Sequence, residues 1–112
     1  MIPLRPFAWC LRAVLFPCAA LAACRPAVAP RRFEVNMANV SYSPTSLTIG
    51  VGDTVVWVNR DIVPHTATST DSTWDSGTMA QGAEYRFVAA STGLIRFRCR
   101  FHPLMVDSLR VQ

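Results

Sequence analysis

Residues 99–105 read CRFHPLM and set Cys99, His102 and Met105 at intervals of three, so one short stretch offers a thiol, an imidazole and a thioether. Two chemistries fit such a set: a soft metal ion bound through sulfur and nitrogen, or a Cys–His nucleophile pair. The nucleophile reading lacks a third group to orient the imidazole. Taken singly, each residue also has an ordinary role: Cys99 as a small buried hydrophobe, His102 as an exposed loop histidine, Met105 as a core residue. Their equal spacing on one short loop favours the metal.

The elements around this stretch have to aim three side chains at one point. Gly93 to Cys99 puts Ile95, Phe97 and Cys99 on one face and Arg96 and Arg98 on the other. A strand with that alternation points Cys99 inward at its end. Pro103 biases His102 toward an extended backbone and has its own φ fixed, so the loop is short and stiff. The rest of the domain is strand-like too. Phe33, Val35 and Met37 alternate with polar partners, as do Leu47, Ile49 and Val51 before a turn at Gly52-Asp53. Thr54 to Asn59 is rich in β-branched and aromatic residues, and Tyr85 to Val88 and Ser108 to Gln112 supply further strands. No segment keeps a helical period over three turns. The expected fold is all-β: a small antiparallel Greek-key sandwich or barrel, with Trp57 and Trp74 in or near its core and Met79 as packing.

The donor types narrow the choice of metal. Structural zinc sites draw on Cys and His and rarely on Met, whereas a trigonal His, His, Cys set with a weak axial Met is the blue-copper arrangement. That arrangement needs a second histidine. The chain has two histidines in all, and the other, His65, follows Pro64 beyond the TVVWVN strand. A loop there falls at an end of the sandwich, where it can meet residues 99–105. A copper ion with all four positions filled by protein has no open site for a substrate, which argues against an enzyme.

Length and composition bound the rest. With 112 residues, 51% hydrophobic and 16% charged, the chain has room for one domain and is too apolar to be disordered. Arg5 and Arg12 precede an acid-free apolar run from Ala13 to Ala23 that is too short to cross a bilayer and has the shape of an export signal. Leu21-Ala22-Ala23-Cys24 resembles the bacterial lipobox, so residues 1–23 are expected to be removed and Cys24 lipidated. Multiple acyl chains there would hold the protein at a membrane surface. Residues 24–32, with their prolines and arginines, read as a tether, and 33–112 as the domain. Loss of Arg5 and Arg12 lowers the formal charge from +4 to +2, too mild for a nucleic-acid partner. Loss of Cys10 and Cys18, with Cys24 blocked, leaves Cys99 as the only free thiol of an exported domain, so no disulfide framework is possible.

From Phe33 to Gln112 the chain resembles the cupredoxins, the small blue copper proteins of the plastocyanin and amicyanin kind. The likeness rests on Tyr42-Ser43-Pro44, Leu47-Thr48-Ile49, the run Gly52 to Asn59, Pro64-His65-Thr66, Asp75-Ser76-Gly77, Gly93 and the run Cys99 to Met105. The resemblance implies one copper ion cycling between Cu(I) and Cu(II), with His65, Cys99 and His102 as equatorial ligands and Met105 as axial ligand. It implies a monomer that carries single electrons between transient protein partners in the periplasm or cell envelope. The alternative is a periplasmic copper-binding or delivery module. His65 is expected to lie deep. His102 is expected to reach an apolar surface made with Pro64, Pro103 and Leu104, while Arg96, Arg98 and Arg100 could attract an acidic partner. Two positions depart from the pattern. Asp107 stands where the family has glycine after the methionine, and is expected to take the left-handed turn and to lower the copper potential. Thr66 replaces the asparagine of amicyanin, which leaves open how the two ligand loops are tied.

Overall fold

Strand alternation organises the whole domain in the computed structural model, which describes Cys24 and residues 26–112. The expected export signal, residues 1–23, lies outside the described residues. Eight strands follow in order: β1 (Arg32–Ala38), β2 (Ser41–Ser43), β3 (Leu47–Ile49), β4 (Thr54–Asn59), β5 (Thr68–Ser69), β6 (Glu84–Val88), β7 (Gly93–Arg98) and β8 (Val106–Val111). They form two four-stranded sheets, ordered β2-β1-β4-β6 and β3-β8-β7-β5. The expected all-β sandwich is therefore present, and no helix occurs among the described residues. Its sheets are mixed: β1 pairs with β4, and β3 with β8, in parallel, while the other pairings are antiparallel.

The inner faces meet over a core that the alternation marks out. Val35, Met37, Val55 and Trp57 come from the first sheet, and Ile49, Phe97, Leu109 and Val111 from the second. Trp57 is fully buried, with its ring centroid 5.2 Å from those of both Trp74 and Phe97. Ring packing of this kind adds to area burial and ties the sheets together at mid-height. Met79 is buried in the same core.

Three local expectations are corrected. Val51 is exposed and does not share the inward face of Ile49, because the chain has already turned: the Asp53 amide donates to the Gly50 carbonyl at 3.1 Å. Asp107 does not replace a left-handed glycine. It lies within β8 opposite Phe97, has no positive φ, and its Oδ1 accepts the amides of Ser46 at 3.0 Å and Ser108 at 2.7 Å. Its carboxylate therefore fastens the β2–β3 turn to β8. Order also begins before Phe33. The Arg31 amide and guanidinium donate to Asp53 at 2.8 and 3.0 Å, and Arg32 pairs with Thr54.

The topology sends two loops to one end. β4 leads into residues 60–67, and β7 and β8 flank residues 99–105. Where the two loops meet, His65, Cys99 and Met105 are buried and His102 is half-buried.

Asp53 closes the opposite end and yields a pH prediction. Hydrogen bonds from the Arg31 and Gly50 amides, with the Arg31 guanidinium, hold its carboxyl below the usual carboxylate range. A group with a depressed folded pKa stabilises the fold above its ordinary value, about 3.9, and ceases to as pH falls through the folded value. Asp53→Asn should therefore lower Tm at pH 7, and the gap from wild type should close as thermal melts are repeated below about pH 4.

Candidate metal centre

Backbone pairing fixes the first histidine before any ligand chemistry is considered. His65 and Met79 exchange amide-to-carbonyl bonds of 3.2 and 2.8 Å, an isolated antiparallel bridge beyond β4. Asn59, the last residue of β4, sends its side-chain amide to the carbonyls of Val63 and Met79, each at 2.9 Å. These bonds confine residues 60–65 to a tight excursion whose outer residues, Ile62, Val63 and Pro64, are exposed while His65 is fully buried.

The second loop is fastened at its neck. The Cys99 amide donates to the Met105 carbonyl and the Met105 amide to the His102 carbonyl, both at 2.9 Å. Cys99 and Met105 are buried at the base, His102 is half-buried, and Phe101, Pro103 and Leu104 form the exposed tip. Leu104 is 96% exposed, which makes it an apolar knob in water. Val40, from the β1–β2 turn, joins Phe101, Pro103, Leu104 and the edge of His102 around a shallow apolar depression with Met105 at its floor.

Between the loops, the Cys99 Sγ lies 3.8 Å from the His65 Nδ1 and 3.5 Å from the His102 Nδ1. All three donor atoms lie within 4.8 Å of one another. A metal bound at about 2.0 Å from nitrogen and 2.3 Å from sulfur, with angles between tetrahedral and trigonal, needs N to S separations of about 3.5–3.7 Å. The observed 3.5 and 3.8 Å lie within about 0.1 Å of that range. The set is two imidazole nitrogens and a cysteine sulfur, with a methionine at the base of the same loop, and suits copper better than a harder ion.

Thr66 ties the two loops together. Its amide donates to the Cys99 Sγ at 3.3 Å, and its hydroxyl accepts the Arg100 amide at 2.9 Å and lies 2.9 Å from the Thr68 hydroxyl. Threonine thus bridges the loops in place of the asparagine. Tyr42 adds a fastening that the sequence reading missed, its hydroxyl donating to the Thr66 carbonyl at 2.7 Å. Burial above all, and then the neighbouring Cys99, push the Tyr42 phenol far above its ordinary pKa, so it stays a donor. Asp61 was missed as well: its Oδ2 lies 2.7 Å from the His65 Nε2. Nothing in its sequence surroundings, two residues after Asn59, marked it for that role.

Comparison with known proteins places this geometry in context. No protein-family model matches the chain. Amicyanin from Paracoccus denitrificans is 28% identical over 90 residues, spanning 76% of this chain and 69% of that protein. The reduced form of an amicyanin variant superposes with a TM-score of 0.69 at 25% identity, covering 77% of this chain and 87% of that one. A Cu(I) form of another amicyanin variant gives 0.69 at 26% identity with the same coverage. The chain has the cupredoxin fold. A third amicyanin variant, also reduced, gives a TM-score of 0.65 at 27% identity over 72% of this chain and 82% of its own. Within this fold, Arg96 and Arg98 are exposed on the outer face of β7, and Arg100 pairs with Asp75 at 3.4 Å.

The role of Thr66 can be tested by removing one oxygen. Thr66→Val keeps the shape but strands the Arg100 amide, while the Thr68 hydroxyl keeps its bond to Asp75 at 3.1 Å. The cost should be about 1–3 kcal/mol, read by denaturant unfolding of the metal-free protein.

Proposed function

We propose that His65, Cys99 and His102 hold one copper ion through Nδ1, Sγ and Nδ1, that Met105 is its axial ligand, and that the protein carries single electrons through this site. One observation carries the ligand assignment: the Cys99 Sγ stands between two imidazole nitrogens at 3.8 and 3.5 Å. When bound, copper supplies a one-electron couple between Cu(I) and Cu(II). The protein's part is to hold the donors still. Sulfur ligands suit Cu(I) and nitrogen ligands suit Cu(II), so donors locked between the two preferences need little rearrangement when an electron moves. The amide-to-carbonyl bonds around Cys99 and Met105, and the Thr66 bridge, do that locking.

The exposed apolar ring around His102 is the port. Leu104 and Pro103, with Val40 and Phe101, frame a shallow apolar approach to the His102 ring, Pro64 is exposed beside His65, and a partner with a matching apolar surface docks there transiently. Arg96 and Arg98 lie to one side and favour an acidic partner. The protein acts as a monomer, outside the cytoplasm, held at a membrane surface by lipid on Cys24. Cys24 is exposed, ahead of the ordered domain. It is a carrier and not an enzyme, because a substrate has no open metal position to occupy.

Adding Cu(II) to the purified domain should give an intense thiolate-to-copper absorption at one equivalent, which bleaches on reduction, returns on oxidation and is missing in Cys99→Ser. The lack of that band in the wild-type protein would contradict the ligand assignment. A copper-delivery module without a carrier role would bind Cu(I) but fail to recolour reversibly.

A further inference from the structure

We infer that Asp61 is a positioning residue for the metal site: its carboxylate holds His65 in the tautomer that presents Nδ1 to the ion, and its charge sets the balance between Cu(II) and Cu(I). The inference rests on the ligand assignment above for its second half only.

Three hydrogen bonds define the carboxylate's position. Its Oδ1 accepts the Asn39 amide at 2.8 Å, and its Oδ2 accepts the Val40 amide at 3.0 Å and lies 2.7 Å from the His65 Nε2. Both oxygens already accept backbone amides, so toward the His65 ring the carboxylate is an acceptor. The His65 Nε2 must then carry the proton. Its Nδ1 is left with a free lone pair, and this is the nitrogen that faces the Cys99 Sγ. A carboxylate behind a ligating imidazole orients the ring and raises its basicity.

The same carboxylate builds the rim of the port. Asn39 and Val40 form the β1–β2 turn with φ of 52° and 55°, a left-handed conformation that a β-branched valine rarely adopts. Both amides of that turn donate to Asp61, which holds Val40 against the depression beside His102. One side chain therefore links the buried ligand to the exposed rim. The Asp61 side chain is 18% exposed and its partner ring is fully buried, so its charge reaches the ligand with little water between them. A negative charge there favours the more highly charged Cu(II).

Asp61→Asn keeps the size of the side chain and removes its charge. The expected effect is a loss of about tenfold in Cu(II) affinity relative to Cu(I), within the range usual for groups behind metal ligands. For a one-electron couple that is a rise of about 59 mV in the reduction potential, measured by redox titration of the absorption band. Asp71→Asn, in the exposed turn after β5, should leave the potential where it is. The tautomer is read without metal: nitrogen NMR of the copper-free wild type should show His65 protonated at Nε2 alone, and Asp61→Ala should show both tautomers. An unchanged potential in Asp61→Asn would overturn the electrostatic half, and wild-type His65 protonated at Nδ1 would overturn the positioning half even if no variant folds. If wild-type protein gives no absorption band, the ligand assignment fails, while the tautomer measurement still decides the role of Asp61 in the apoprotein.

Discussion

A sulfur atom shared by two loops governs the architecture. The Cys99 Sγ accepts the Thr66 amide from the first ligand loop while the Cys99 amide closes the second. Each loop therefore sets the other's position, and neither can shift without breaking a buried bond. The long-range backbone pairings bring these few atoms together: β7 ends just before the cysteine, β8 begins after the methionine, and β4 launches the excursion that returns as His65.

Rigidity is built in layers of increasing distance from the sulfur. Thr66 and the neck of the 99–105 loop form the inner layer. Tyr42, Asn59 and Asp61 form the next, each meeting a loop backbone or a ligand ring from a different strand or turn. Outside them lies the aromatic core around Trp57. The polar groups of the two inner layers are partnered, and such partnered groups specify one arrangement more sharply than apolar packing alone. For an electron carrier this matters because any movement of the donors on reduction adds to the barrier for transfer.

Much of this was readable in the sequence, for a physical reason. Period-two alternation reports which face of a strand is buried, so it aimed Cys99 inward and left Arg96 and Arg98 outside. Donor chemistry required a second histidine, and the chain held only one other. Parallel pairing of β1 with β4 and of β3 with β8 was not readable, because alternation carries no information about the neighbour's direction. β2 and β5 were too short, at three and two residues, for any periodicity. Asp107 misled because a family pattern was read as a backbone requirement; here its carboxylate binds amides from an extended strand. Asp61 was invisible for the opposite reason: an aspartate in a loop has many ordinary roles, and only the fold brings it to His65.

The account stands on copper lying among three particular atoms. A crystal structure of the copper-loaded domain, with anomalous data collected on both sides of the copper absorption edge, tests this directly. The account predicts a single anomalous peak bonded to the Cys99 Sγ and to the Nδ1 atoms of His65 and His102. A peak held by other residues, or an imidazole bound through Nε2, would contradict it.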